Sequence, residues 1–194
     1  MIVMDYIVPI YSEGEFNGTG FIVGNKLITA AHVVISKENV CHFLYRGNNL
    51  CLGPDNIILY EYPKEKCMQG QDNIYLDLAI YNLENKESPL EFRKPQMSYP
   101  CFLQGYSASL HIDTYTNIYL GNRDLYYQSQ EEKHIQVNNT YIVINGQCIS
   151  GNSGSPLFQG EYIVGMLVGN QQYQRFSLDR YIQSDYIQEK LLKL

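Results

Sequence analysis

Ser153 lies in the run Gly151-Asn152-Ser153-Gly154-Ser155-Pro156, whose residue types can do chemistry. Glycines admit backbone angles and close approaches that a Cβ forbids. The proline closes the run with φ fixed and no donor of its own. Such a turn can present Ser153 Oγ outward while aiming the N–H groups of Gly151 and Ser153 at one point. That is the arrangement needed for attack on a carbonyl whose oxyanion is held by backbone donors. Taken alone, the six residues fit an ordinary loop between two strands equally well. A serine is also a weak nucleophile, and it needs a base within hydrogen-bond reach.

Two upstream stretches bear on that base. The first is Thr19-Gly20-Phe21-Ile22-Val23-Gly24 followed by Leu27-Ile28-Thr29-Ala30-Ala31-His32-Val33; the second is Asp77-Leu78-Ala79-Ile80. With the Ser153 run, they resemble the chymotrypsin/trypsin-like serine proteases. The order His, Asp, Ser along the chain is that of this family, and it differs from the orders in subtilisins and α/β-hydrolases. The resemblance covers nearly the whole chain and leans toward compact bacterial HtrA-like members without a PDZ domain. It implies that His32 is the general base and Asp77 the group that holds and stabilises its imidazolium. Ser153 is then the nucleophile, with Gly151 and Ser153 forming the oxyanion hole. The other histidines have weaker settings. His134 follows the charged run Glu131-Glu132-Lys133, and His42 and His111 have no motif around them. Asp72, between Gln71 and Asn73, sits in a surface-turn context, whereas Leu76 and Leu78 around Asp77 suit a partly buried carboxylate.

The same resemblance outlines a specificity pocket. Gln147 falls at its floor, Cys148 lines it, Leu167 forms part of its wall, and Val168-Gly169-Asn170 is the strand edge that takes the substrate backbone by β-augmentation. Gln147 offers no charge for a basic side chain, and Leu167 stands where Glu- or Gln-accepting relatives often carry a histidine. A neutral side chain before the scissile bond is the expectation left. Asn152 replaces the aspartate that digestive relatives pair with a newly cut N-terminal ammonium. Its neutral amide leads us to expect a turn held by backbone hydrogen bonds, without zymogen cleavage.

Composition narrows the class. The chain has 194 residues, a net charge of −6, 18 tyrosines and no tryptophan. That charge argues against a nucleic-acid partner held through phosphates. No apolar run approaches a membrane span, so no membrane partner is expected. The start, Met1-Ile2-Val3-Met4-Asp5, lacks the layout of a signal peptide, and the expected location is cytoplasmic. Five cysteines without C-x-x-C spacing, with Val33 where secreted relatives place a bridging cysteine, read as free thiols. Cys41-His42 has no matching second pair, so no metal and no cofactor are expected. The expected partners are a protein or peptide substrate and a regulatory protein that controls access.

The elements that must position these residues read as all-β. Strands are expected at 4–10, 21–23, 26–30, 40–45, 57–62, 76–83, 100–106, 112–119, 135–144, 156–158 and 162–168, with a hairpin at Gly24-Asn25 and a helical turn after Ala30. Residues 12–20 read as a polar loop. Apolar spacing over 178–194 predicts a C-terminal helix capped by Ser177 or Asp179 and packed on the second half. The charged, proline-containing segment 84–96 marks a boundary. The family implies two antiparallel six-stranded β-barrels: 1–88 carrying His32 and Asp77, and 89–194 carrying Ser153 and the helix. The alternative from another class is a non-catalytic peptide-binding module that keeps the protease fold.

Overall fold

The computed structural model describes residues 3–34, 40–61, 77–84, 87–96, 99–118, 125–128, 134–137, 141–145, 148–173 and 176–194. Strands β1 (Ile7–Ser12), β2 (Glu15–Val23), β3 (Lys26–Thr29), β4 (Cys41–Tyr45), β5 (Asn48–Leu52), β6 (Ile57–Glu61) and β7 (Leu78–Asn82) form one antiparallel sheet. Their order is β5-β4-β1-β2-β3-β7-β6. The later strands are β8 (Pro100–Tyr106), β9 (Ile112–Ile118), β10 (Leu125–Gln128), β11 (His134–Val137), β12 (Tyr141–Asn145), β13 (Pro156–Gln159), β14 (Tyr162–Tyr173) and β15 (Phe176–Gln183). Six of them form a second sheet in the order β12-β15-β14-β13-β8-β9, while β10 and β11 pair with each other. Helix α1, Ser184–Leu192, closes the chain. The fold is the all-β, chymotrypsin-like type with a C-terminal helix.

Three local expectations are corrected. Residues 12–20 are not a loop: the chain reverses at Glu13-Gly14 and β2 runs from Glu15 onward, paired with β1 through Ser12↔Glu15 and Pro9↔Thr19. Hydrogen bonding along β1 overrides the polar, glycine-rich composition there. The first six residues include a 3-10 turn, Val3–Tyr6, before β1 begins. Residues 178–183 are strand, not helix, because β15 is flanked by β12 and β14. Both faces of that strand are covered, with Tyr181 and Ile182 fully buried. A doubly buried strand loses the alternation that would distinguish it from a helix.

Most of the core is one cluster that draws on both sheets. Phe21, Ile28 and Val33 meet Phe158, Met166 and Ile182, with Ile187 added from α1. A smaller cluster of Cys101, Leu103, Leu157, Val164, Leu167 and Tyr181 lies within the second sheet. Helix α1 packs on the second sheet and also reaches the first. Tyr186 OH donates to Glu61 Oε2 at 2.9 Å, and Lys190 pairs with the same carboxylate at the end of β6.

Candidate active site

His32 is placed by the end of β3. After Thr29 the chain enters a 3-10 turn, Ala31–Val34, in which Ala31, Val33 and Val34 are buried. Three apolar anchors on a four-residue turn leave His32 as the one side chain free to face outward. Strand β7 pairs with β3 through Thr29↔Ala79, which brings Asp77, just before β7, alongside that turn. The carboxylate holds the histidine twice. His32 N–H donates to Asp77 Oδ1 at 2.8 Å, and His32 Nδ1 meets Asp77 Oδ2 at 2.5 Å. With the ring proton on Nδ1, Nε2 keeps its lone pair for a proton acceptor's work. The pair is mostly but not fully withdrawn from solvent, with side chains 32% and 16% exposed.

Ser153 is placed by a turn whose backbone groups are unequally engaged. Asn152 N–H donates to Ile149 O at 3.1 Å, Gly154 N–H to Leu167 O at 2.7 Å, and Ser155 N–H to Asn152 O at 3.0 Å. The N–H groups of Gly151 and Ser153 have no acceptor among the described residues. Gly151 has φ +96°, in the region that favours glycine. Asn152 is fully buried, and its amide holds the turn on both sides: Oδ1 accepts from Ile149 N–H at 2.9 Å and Nδ2 donates to Tyr106 O at 3.0 Å.

The turn docks on the first sheet. Thr19 N–H donates to Ser153 O at 2.8 Å. A Cβ on Gly18 would lie 2.9 Å from Ser153 O and 2.7 Å from Val33 Cγ2. One missing side chain thus lets the serine backbone and the residue after His32 approach from either side. Among the described residues, Ser153 Oγ makes no side-chain hydrogen bond, to His32 or to any other group. Catalytic hydrogen bonds of this kind are often long before substrate binds.

The pocket residues fare differently. Gln147 lies outside the described residues, as does Asp72. Cys148 packs against the smaller cluster, and its N–H donates to Asp179 Oδ2 at 3.1 Å. Leu167 is fully buried in that cluster, while its backbone bonds to Gly154 and Ser155. Val168 is buried in the main core, and Gly169 and Asn170 pair with Arg180 and Asp179 of β15. Strand β13 pairs with β14 only as far as Met166, so beyond Leu167 the other edge of β14 has no strand partner among the described residues.

Four residues at the site escape the sequence reading. Thr19 stands out there only as part of a strand motif, and Tyr106 carries no signal. Asp179, expected as a helix cap, is instead a fully buried carboxylate under Cys148. At Arg180 of β15, burial pulls the guanidinium pKa below its ordinary value, and the Asp77 charge opposes this only in part. Neither of these two has a local pattern that announces its place at the site. Among the described residues, no group of three His, Cys, Asp or Glu side chains is placed to hold a metal ion. No described helix is long and apolar enough to cross a membrane.

The active form of the Rv3671c protease from M. tuberculosis aligns with 98% of this chain and 81% of its own, at 16% identity and a TM-score of 0.73. The HtrA-type protease AlgW with a tripeptide aligns with 95% of this chain and 58% of its own, at 15% identity and 0.68. Human heparin binding protein aligns with 98% of this chain and 91% of its own, at 12% identity and 0.65. At these identities the likeness is one of fold. No curated protein sequence matches the chain. A family model described as a trypsin-like peptidase domain matches residues 18–169, and the chain belongs to that family.

Proposed function

We propose that this protein is a serine endopeptidase working through His32, Asp77 and Ser153. Ser153 Oγ attacks the scissile carbonyl while His32 Nε2 takes its proton, and the N–H groups of Gly151 and Ser153 receive the oxyanion. His32 then protonates the leaving amine, and water hydrolyses the acyl-enzyme by the same route. Asp77 stays ionised and stabilises the imidazolium. The observation that carries this reading is the double hold of Asp77 on His32 beside a turn with two uncommitted backbone donors. The substrate is an extended peptide added along the free edge at Val168, Gly169 and Asn170. Gln147 and Cys148 are assigned, on the family resemblance, to the side chain before the scissile bond, whereas Leu167, whose side chain is fully buried, serves through its backbone bonds to Gly154 and Ser155.

A reducing compartment suits Cys41, Cys51, Cys101 and Cys148, all free thiols, and supports a cytoplasmic location. A second reading is a binding module that keeps the fold. It is favoured by one observation: a neighbour of the same fold is named for heparin binding rather than for proteolysis.

Fluorophosphonate labelling of wild type, Ser153→Ala and His32→Ala separates the two. Labelling of the wild type, lost in Ser153→Ala and slowed by roughly 10⁶-fold in His32→Ala, is the expected result for a triad acting as a unit. An unlabelled, folded wild type would support the binding module.

A further inference from the structure

Thr19 belongs to the first sheet, yet its polar atoms serve the turn that carries Ser153. The residue is fully buried. Its N–H donates to Ser153 O at 2.8 Å, and its hydroxyl donates to Gly151 O at 3.0 Å. The hydroxyl oxygen accepts from Tyr106 N–H at 2.9 Å, and the Thr19 carbonyl accepts from the Thr29 hydroxyl at 2.7 Å. The hydroxyl has one proton and two carbonyls in reach. Gly151 O at 3.0 Å is nearer than Tyr106 O at 3.4 Å, so Gly151 takes it. Tyr106 O is in turn engaged by the Asn152 amide. The result is a closed loop of hydrogen bonds through Thr19, Gly151, Asn152 and Tyr106, with no charge in it.

The consequence falls on Gly151. A glycine at φ +96° has little of its own steric preference to fix the peptides on either side. Its carbonyl direction, and with it the course of the turn, is set by whatever the carbonyl bonds. Thr19 holds the carbonyls of Gly151 and of Ser153, bracketing the segment whose N–H groups are uncommitted. We infer that Thr19 is a positioning residue that locks the Gly151–Ser153 turn, from the opposite sheet, in the conformation that offers both donors to an oxyanion. This rests on the proposed nucleophilic role of Ser153. It assigns to a buried hydroxyl the task that an ion pair with a free N-terminus performs in digestive relatives.

The test compares Thr19→Val, similar in shape but without the hydroxyl, with Thr19→Ser, which keeps it. The readouts are the rate constant for fluorophosphonate labelling, kcat and KM for p-nitrophenyl acetate, and the melting temperature. Thr19→Val should lower the labelling rate and kcat by about 10- to 100-fold, short of the roughly 10²–10³ lost with a whole oxyanion donor. KM should move by no more than about threefold, because ground-state binding is untouched. Thr19→Ser should label within about threefold of wild type, since the same acceptor and donor remain. The pH midpoint of labelling should be the same in all three, as Asp77 still holds His32.

A folded Thr19→Val that labels at the wild-type rate overturns the inference. So does a folded Thr19→Ser that labels at under a tenth of the wild-type rate, which keeps the test open if the valine variant does not fold. A wild-type protein that does not label at all removes the serine-protease reading, and this inference with it. Labelling of the wild type with no effect of either substitution removes only this one.

Discussion

At His32 a single carboxylate grips both the imidazole and the backbone N–H of the same residue, so ring orientation and turn position are set by one group. Two donors facing two carboxylate oxygens is a matched set. An amide is not. In Asp77→Asn, one oxygen becomes an NH₂ that must face either the His32 N–H or Nδ1. If it faces Nδ1, the ring carries its proton on Nε2 and cannot act as the proposed base. The expected loss is about 10⁴-fold in turnover, with fold retained. Steady-state hydrolysis and a thermal melt measure the two parts. Activity above roughly a tenth of wild type would mean that Asp77 does not hold the tautomer. The Arg180 guanidinium and this carboxylate also influence one another electrostatically.

The turn and the β2 strand it sits on form the element that unites the site. Gly154 has φ +83°, and a Cβ there would lie 2.0 Å from Thr19 O and 2.5 Å from Thr29 Oγ1. The nearer obstacle is backbone and cannot swing aside. Gly24, at φ +54° in the β2–β3 hairpin, has nothing within 4 Å of where a methyl would sit. Alanine at Gly24 should therefore cost about 1 kcal/mol, the left-handed penalty alone. Alanine at Gly154 adds overpacking and should cost about 3 kcal/mol or more. Differential scanning calorimetry should show melting-temperature falls of roughly 3 and 10 °C in a chain of this size. Labelling should be lost in Gly154→Ala and kept in Gly24→Ala. Equal falls would mean that the turn is free to move off β2.

At the scale of the molecule, the shared core makes buried titratable groups a matter of global stability. Burial pushes the Cys41 thiol up to about 12 from an ordinary value of 9.0. It likewise raises the Tyr106 and Tyr181 phenols, and pushes Tyr186 up to about 12. In each case the unfolded chain loses its proton first, so above the unfolded pKa the folded state binds more protons. Stability that is fully present below about pH 9 is then lost as pH rises toward about 12. Thermal melts should give a steady melting temperature from pH 7 to about 8.5 and a falling one beyond it. Cys41→Ala should melt lower at neutral pH, from the lost packing, but with a shallower alkaline slope. An unchanged slope would show that the thiol contributes nothing to it.

Local backbone chemistry made part of this protein legible from its sequence. A glycine-framed serine ending in proline, a histidine after Thr29-Ala30-Ala31, and an aspartate opening an apolar strand each declare themselves within a few residues. So did the hairpin at Gly24-Asn25 and the presence of a terminal helix. These features depend on backbone angles and side-chain chemistry that neighbours in sequence decide. The roles of Thr19, Tyr106, Asp179 and Arg180 did not declare themselves, nor did the strand character of 15–20 and 178–183. Thr19 and Gly151 are 132 positions apart, and their hydrogen bond exists only because one sheet docks its turn on the other. Strand pairing likewise decided that Tyr181 and Ile182 are both buried, whatever helical spacing their neighbourhood offered. The candidate groups for chemistry were written locally; which groups hold them still was settled where the two sheets meet.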